Sequence, residues 1–163
     1  MSELRVIIAG GGTGGHLFPA LAIGDELKSR GTDVLYMGST YGIEAKYFRE
    51  RNEKMRLLNI RGIHRSFSMT SIGQNLLFPF KFVKGYIESV FTILKFNPQV
   101  VVGTGGYASG LPLLAALLLK KKTLLQEQNS FPGITTRKLS HKVDRICIAY
   151  EEAQGHLRKT AML

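Results

Sequence analysis

The stretch Leu4 to Ile23, LRVIIAGGGTGGHLFPALAI, constrains the fold of this chain more than any other. Its apolar run, Leu4 to Ala9, suits a strand buried on both faces. Gly10-Gly11-Gly12-Thr13-Gly14-Gly15 follows at once. A helix is expected from His16, with Pro19 in its first turn and Leu17, Ala20, Leu21 and Ile23 on its apolar side. Glycines let a backbone turn sharply and approach a ligand closely. A helix start offers unpaired N–H groups and a partial positive charge. Strand, glycine turn and helix in this order build an anion site, and a phosphate or diphosphate is its natural guest.

Gly10, Gly12 and Gly15 also satisfy the G-x-G-x-x-G spacing of dinucleotide-binding turns. Such a fold calls for an acidic residue about 20 positions further on, where it holds a ribose. Here the second expected strand, 33–37, runs into Gly38-Ser39-Thr40, and no carboxylate follows before Glu44. The turn therefore suits phosphate and not the adenosine ribose of NAD. A tight strand-to-helix turn with no ligand stays open as the plain alternative.

Apolar strand-like runs alternate with helical patterns along the whole chain. Strands are expected at about 4–9, 33–37, 55–60, 99–103, 123–126 and 143–148. Helices are expected at about 16–30, 42–51, 75–95, 109–119, 133–140 and 150–159. This alternation implies an α/β fold with a parallel sheet covered by helices on both faces. Ligands on such sheets bind beyond the C-terminal strand ends. The chain also echoes itself: VVVGTGGYASGLPLLAAL at 100–117 repeats an apolar strand, Thr-Gly-Gly, a ring residue (Tyr107 in place of His16), then Pro and a helix. Two such turns on one edge would present two helix starts to one bulky diphosphate. A third loop, Glu127-Gln128-Asn129-Ser130-Phe131-Pro132-Gly133, borders the same edge. Its amide and carboxyl groups suit sugar hydroxyls, though Asn129 or Ser130 is equally suited to cap the next helix.

The chain has 163 residues, enough for one domain with its own core. Its 22 Lys and Arg against 12 Asp and Glu give a net charge of +10, which favours anionic partners. A single cysteine, Cys147, excludes an internal disulfide, fits a reducing compartment and lies in an apolar run that suits the core. One Cys and four scattered His leave no metal-ligand spacing, and no cofactor is expected. The N-terminus has no signal-peptide pattern, and the apolar stretch Leu111 to Leu119 is too short for a bilayer. A cytoplasmic protein is expected.

Residues 54–95 carry seven Lys or Arg against one acid, Glu88. On a helix, Leu76, Phe80, Val83, Ile87, Val90 and Leu94 form one stripe, read here as the core face. Phe78, Phe82, Tyr86 and Ile93 form a second apolar side, with Lys81, Lys84, Glu88 and Lys95 between. Such a helix is either buried on two sides or meets a membrane whose anionic headgroups its lysines would read. Lys120-Lys121-Lys122 fits that patch or a solvated turn. No nucleic-acid recognition motif accompanies the charge. Arg61 and Arg65 follow the third strand, where they suit a phosphate or simply a basic loop. The apolar ending Thr160-Ala161-Met162-Leu163 has no capping turn and points to a further domain outside these residues.

Three motifs together, Gly10 to Ala20, Gly103-Thr104-Gly105-Gly106-Tyr107 and Glu127-Gln128-Asn129, resemble the N-terminal half of the bacterial peptidoglycan GlcNAc transferases. The likeness runs from about Arg5 to the end of the chain. It implies the N-terminal half of a GT-B fold, Rossmann-like, with residues 1–163 as the acceptor-side domain and the nucleotide-binding C-terminal domain as its partner. It implies an inverting hexosyltransferase that moves GlcNAc from UDP-GlcNAc to the MurNAc C4 hydroxyl of undecaprenyl-diphosphate-MurNAc-pentapeptide, lipid I to lipid II. This half alone should not turn over. By the same likeness, Gly12, Thr13, Gly14, Gly15, Thr104, Gly105, Gly106 and Tyr107 hold the acceptor diphosphate. Thr13, Gly14, Gly15, Gln128 and Asn129 reach the donor sugar. Leu76, Leu77, Phe78, Lys81, Phe82 and Lys84 contact the membrane, placing a peripheral protein on the cytoplasmic face of the inner membrane. No metal is implied. The reaction needs a base for the attacking hydroxyl; His16, at the mouth of the first glycine turn, is the leading candidate and Glu127 the second. Another GT-B transferase acting on a lipid acceptor, or a non-catalytic membrane-recruited module that docks a separate catalytic subunit, remain the alternatives.

Overall fold

The computed structural model describes residues 4–60 and 78–163. Six strands form one sheet: β1 (Arg5–Ala9), β2 (Asp33–Ser39), β3 (Met55–Leu58), β4 (Val100–Gly103), β5 (Lys122–Glu127) and β6 (Arg145–Ile148). Helices α1 (Gly14–Ser29), α2 (Glu44–Glu50), α3 (Phe78–Phe96), α4 (Tyr107–Leu118) and α5 (Ile134–Leu139) alternate with them, and a 3₁₀ turn spans Glu151–His156. Every strand pair is parallel, in the order β3-β2-β1-β4-β5-β6. The order reverses between β1 and β4, which are hydrogen-bonded neighbours. This is the switch point where open α/β sheets leave a crevice, and both glycine turns open onto it.

The unbroken apolar strands divide their side chains between two cores. Val6 and Ile8 of β1 pack with Leu17, Ala20 and Leu21 of α1, with Tyr36 and with Phe48 of α2. Ile7 and Ala9 pack on the other face with Val101, with Ile93 of α3 and with Leu113 and Ala116 of α4. Helices thus cover both faces, as such strands require. Met162 extends the sheet edge: its N–H donates to Ile146 O and its carbonyl accepts from Ile148 N–H, both at 2.8 Å. Cys147 is half-buried beside it, and desolvation pushes its thiol up, so it stays a thiol in neutral water.

Several local expectations shift; among them, the helix expected from 109 starts at Tyr107, the second strand runs on to Ser39 and the sixth starts at Arg145. Helix α1 begins at Gly14, two residues early, so Pro19 falls in its second turn, where it leaves the Gly15 carbonyl without its helical donor. Strand β3 ends at Leu58 and not 60. The expected helix 150–159 is only the 3₁₀ turn Glu151–His156.

The largest correction concerns α3. Of its expected core stripe only Val90 packs on the core among the described residues: Phe80 is 75% exposed, Val83 55%, Ile87 48% and Leu94 55%. The buried face carries Ser89 and Ile93, with Gly85 pressed between neighbours. A Cβ at Gly85 would lie 2.9 Å from both Ile60 Cγ2 and Leu111 Cδ1. Small residues let α3 approach α4 closely, and that packing turns the bulkier stripe outward. Pro79, Phe80, Val83, Lys84, Ile87 and Glu88 line a shallow groove on the outer side.

Candidate functional site

The crevice is built from the loops after β1, β4 and β5. In the first turn, Gly11 and Gly12 take the left-handed φ values 144° and 89°, which only glycine adopts readily. Thr13 is extended and exposed, and its carbonyl accepts the His16 and Leu17 N–H groups at 3.2 and 3.1 Å. In the second turn the left-handed pair is Gly105 and Gly106, at 94° and 72°. Neither α1 nor α4 carries a side-chain cap or an acidic residue in its first turn. Two helix starts without a capping side chain therefore meet at one crevice.

The two turns are locked together through Thr104 and His16. The Thr104 N–H donates to Ala9 O at 2.9 Å, and its hydroxyl donates to His16 O at 2.8 Å. The His16 ring packs against the second turn: a Cβ at Gly105 would stand 2.7 Å from its Nδ1, and one at Gly106 would stand 3.0 Å from its Cδ2. Tyr107 lies against the first turn, its Cε1 2.8 Å from where a Cβ at Gly12 would be. His16 Nδ1 sits 3.0 Å from the Thr104 carbonyl and 2.7 Å from the Gln128 side-chain amide. Its Nε2 meets no hydrogen-bond partner among the described residues.

Two fully buried glutamates brace these loops. Glu44, at the start of α2, accepts the Gly12 N–H at 2.8 Å on one oxygen and the Ser39 N–H at 2.8 Å on the other. Gly11, Gly38 and Gly42 crowd around its carboxyl, where any side chain would collide. Glu127, at the end of β5, accepts Asn129 N–H and Asn129 Nδ2 on one oxygen, at 3.1 and 2.8 Å, and Gly133 N–H on the other at 3.3 Å. Asn129 itself is exposed at the crevice rim.

A family model for the glycosyltransferase family 28 N-terminal domain matches residues 6–148. The chain belongs to this family. It is 40% identical, over its whole length and 44% of the relative's, to the UDP-N-acetylglucosamine--N-acetylmuramyl-(pentapeptide) pyrophosphoryl-undecaprenol N-acetylglucosamine transferase of Flavobacterium psychrophilum. It is 44% identical to the protein of the same name from Christiangramia forsetii, over 93% of this chain and 41% of that one. The crystal structure of Acinetobacter baumannii MurG superposes with a TM-score of 0.82 at 27% identity, covering 98% of this chain and 44% of that one. The chain thus spans under half the length of these relatives. The fold is the Rossmann-like N-terminal half of a GT-B glycosyltransferase.

Seen in this glycosyltransferase family 28 domain, the expected site residues divide into distinct settings. The structure brings Gly12, Thr13, Gly14, Gly15, His16, Gly105, Gly106, Tyr107, Gln128 and Asn129 around one crevice. It turns Thr104 and Glu127 inward: both are fully buried with their side-chain oxygens engaged. The Gly12 N–H, expected to face a diphosphate, is already taken by Glu44. Glu44 itself went unread as a site residue, since only its distance from the second strand was visible; the glycines that surround it were the one available sign. Leu76, Leu77, Arg61 and Arg65 lie outside the described residues, and Phe78 is placed only as the start of α3. Lys81 leans over the Tyr41 ring at 5.9 Å, and Phe82 and Lys84 are exposed. Among the described residues no cluster of His, Cys, Asp or Glu is arranged to hold a metal.

Proposed function

We propose that this domain is the acceptor-binding half of an inverting glycosyltransferase that moves GlcNAc from UDP-GlcNAc to the MurNAc C4 hydroxyl of undecaprenyl-diphosphate-MurNAc-pentapeptide. The observation that carries this reading is His16, held where two uncapped helix starts converge, with Nδ1 engaged and Nε2 without a partner. The acceptor diphosphate lies across the two helix starts, against Thr13, Gly14, Gly15, Gly105, Gly106 and Tyr107. The His16 imidazole takes the proton from the C4 hydroxyl as that oxygen attacks C1 of GlcNAc from the face opposite UDP. The bond to UDP breaks on the far side, which inverts the anomeric centre. Asn129, exposed and held by Glu127, presents its amide to the sugars. Glu127 is a brace, since its oxygens face inward. Thr104 is likewise a brace for His16. The C-terminal domain of the same enzyme supplies the nucleotide contacts.

The outward ridge of α3 gives this domain a surface for the membrane that carries the lipid acceptor. Phe80, Val83 and Ile87 are exposed side by side with Lys84, a pairing that suits an anionic leaflet. None of the described helices is long and apolar enough to cross a membrane. In this reading the enzyme is a peripheral protein on the cytoplasmic face of the inner membrane, which carries its lipid acceptor.

The test joins a nucleotide-binding domain of the family after Leu163 and assays GlcNAc transfer from UDP-GlcNAc to a lipid I analogue. His16→Ala is expected to lower kcat at least about a hundredfold. Undiminished turnover in His16→Ala would remove His16 as the base. A folded fusion that binds anionic vesicles yet transfers nothing would instead favour a non-catalytic membrane-recruited module.

A further inference from the structure

Two groups converge on one ring nitrogen of His16, and they ask opposite things of it. The Thr104 main-chain carbonyl, 3.0 Å from Nδ1, can only accept. Nδ1 must therefore carry a hydrogen. The Gln128 side-chain nitrogen, placed 2.7 Å from the same Nδ1, can only donate. With Nδ1 protonated, two donors face each other at that distance. The Gln128 oxygen is meanwhile buried with no partner. The two ends of an amide differ so little in shape that their assignment follows from the hydrogen-bond network. Turning the Gln128 amide by half a turn about its last bond brings the oxygen to Nδ1. It replaces a donor–donor contact with a hydrogen bond.

We propose that Gln128 is a positioning residue for His16: its side-chain carbonyl, together with the main-chain carbonyl of Thr104, accepts from Nδ1–H and so fixes the tautomer whose unprotonated nitrogen is Nε2. Nδ1 keeps its hydrogen in both the neutral and the protonated ring, so a proton taken from substrate enters at Nε2 alone. Gly105 belongs to the same device, because a Cβ there would stand 2.7 Å from Nδ1 and deny the ring its seat. Gln128 thus acts through His16 and not on the sugar. The catalytic consequence rests on His16 serving as the base; the tautomer itself does not.

The experiment reads the tautomer directly, by ¹⁵N NMR of the histidine-labelled chain at a pH where the ring is neutral. His16→Asn identifies the His16 signals by their loss. The expected spectrum has Nδ1 bonded to hydrogen and Nε2 in the unprotonated region. Gln128→Glu separates the two amide orientations, since a carboxylate only accepts: it is expected to keep the Nδ1–H tautomer. Gln128→Ala is expected to shift the tautomer ratio about tenfold toward Nε2–H, the worth of one hydrogen bond. In the two-domain fusion, Gln128→Ala should lower kcat about tenfold with KM for the acceptor little changed, and Gln128→Glu should restore most of it. An Nε2–H tautomer in the unaltered chain would overturn the proposal. So would a Gln128→Ala ratio equal to that of the unaltered chain, or loss of the Nδ1–H tautomer in Gln128→Glu. A fusion that transfers no GlcNAc while the tautomer behaves as expected would reject the transferase reading and leave the Gln128 assignment standing.

Discussion

The two glycine turns share the tripeptide Thr-Gly-Gly, yet the shared residues do different work. In the first turn, Gly14 and Gly15 are already the opening residues of α1. In the second, Gly105 and Gly106 precede α4 and take left-handed φ values. Their conformational counterparts in the first turn are Gly11 and Gly12. Thr13 is exposed at the crevice, whereas Thr104 is buried and bonded to His16. The first turn is braced from outside by Glu44, and the second gives up side-chain volume to seat the His16 ring. Identical short motifs on neighbouring strands of one sheet therefore do not superpose function by function. Backbone conformation and cross-loop contacts decide which residue faces the crevice.

Four substitutions sharpen or break this contrast. Glu44→Ala leaves the Gly12 and Ser39 N–H groups without their acceptor, at about 1–3 kcal/mol each. A loss of about 4 kcal/mol is expected in urea unfolding; a loss below about 1 kcal/mol would show that the first turn stands unaided. Gly106→Ala combines a left-handed φ with a collision against the Gly11 carbonyl, and should cost about 3 kcal/mol in the same measurement. Were it tolerated, the two turns would not be in the close contact described. Thr104→Val keeps the shape but removes the hydroxyl that donates to His16 O, with an expected cost of about 1.5 kcal/mol and no new cavity. Gly31→Ala is the control: φ is 78° but nothing lies within 4 Å of the new Cβ, so only backbone strain of about 1 kcal/mol remains. If Gly31→Ala and Gly106→Ala shift the unfolding midpoint equally, strain alone accounts for the second turn, and its contact with the first contributes nothing.

Much of the fold was legible because its signals are local. Apolar runs such as Val100-Val101-Val102 mark doubly covered strands, and their alternation with helical patterns dictates parallel pairing. The crevice loops were legible too, since glycines at strand ends announce a close backbone approach. The core face of α3 was not. Hydropathy favours Phe80, Val83 and Ile87, but Gly85 and Ser89 win the interface because close packing rewards the absence of bulk. Glu127 read as a candidate base because a carboxyl beside a cleft suits that chemistry. Its inward orientation depends on Asn129 and Gly133 folding back onto it, which no residue pattern encodes.

By itself the sequence determined an α/β sheet with two glycine turns at its C-terminal edge and a histidine at the mouth of the first. These follow from periodicity and from glycine's missing side chain, both properties of neighbours in the chain. Only the tertiary structure decided that Glu44 takes the Gly12 N–H across 32 residues, that Thr104 and Gln128 meet on one nitrogen of His16, and that α3 shows its bulkier side to the outside. Each of these is a contest among distant groups for the same buried space or the same hydrogen bond. Such contests are settled by packing the whole domain at once.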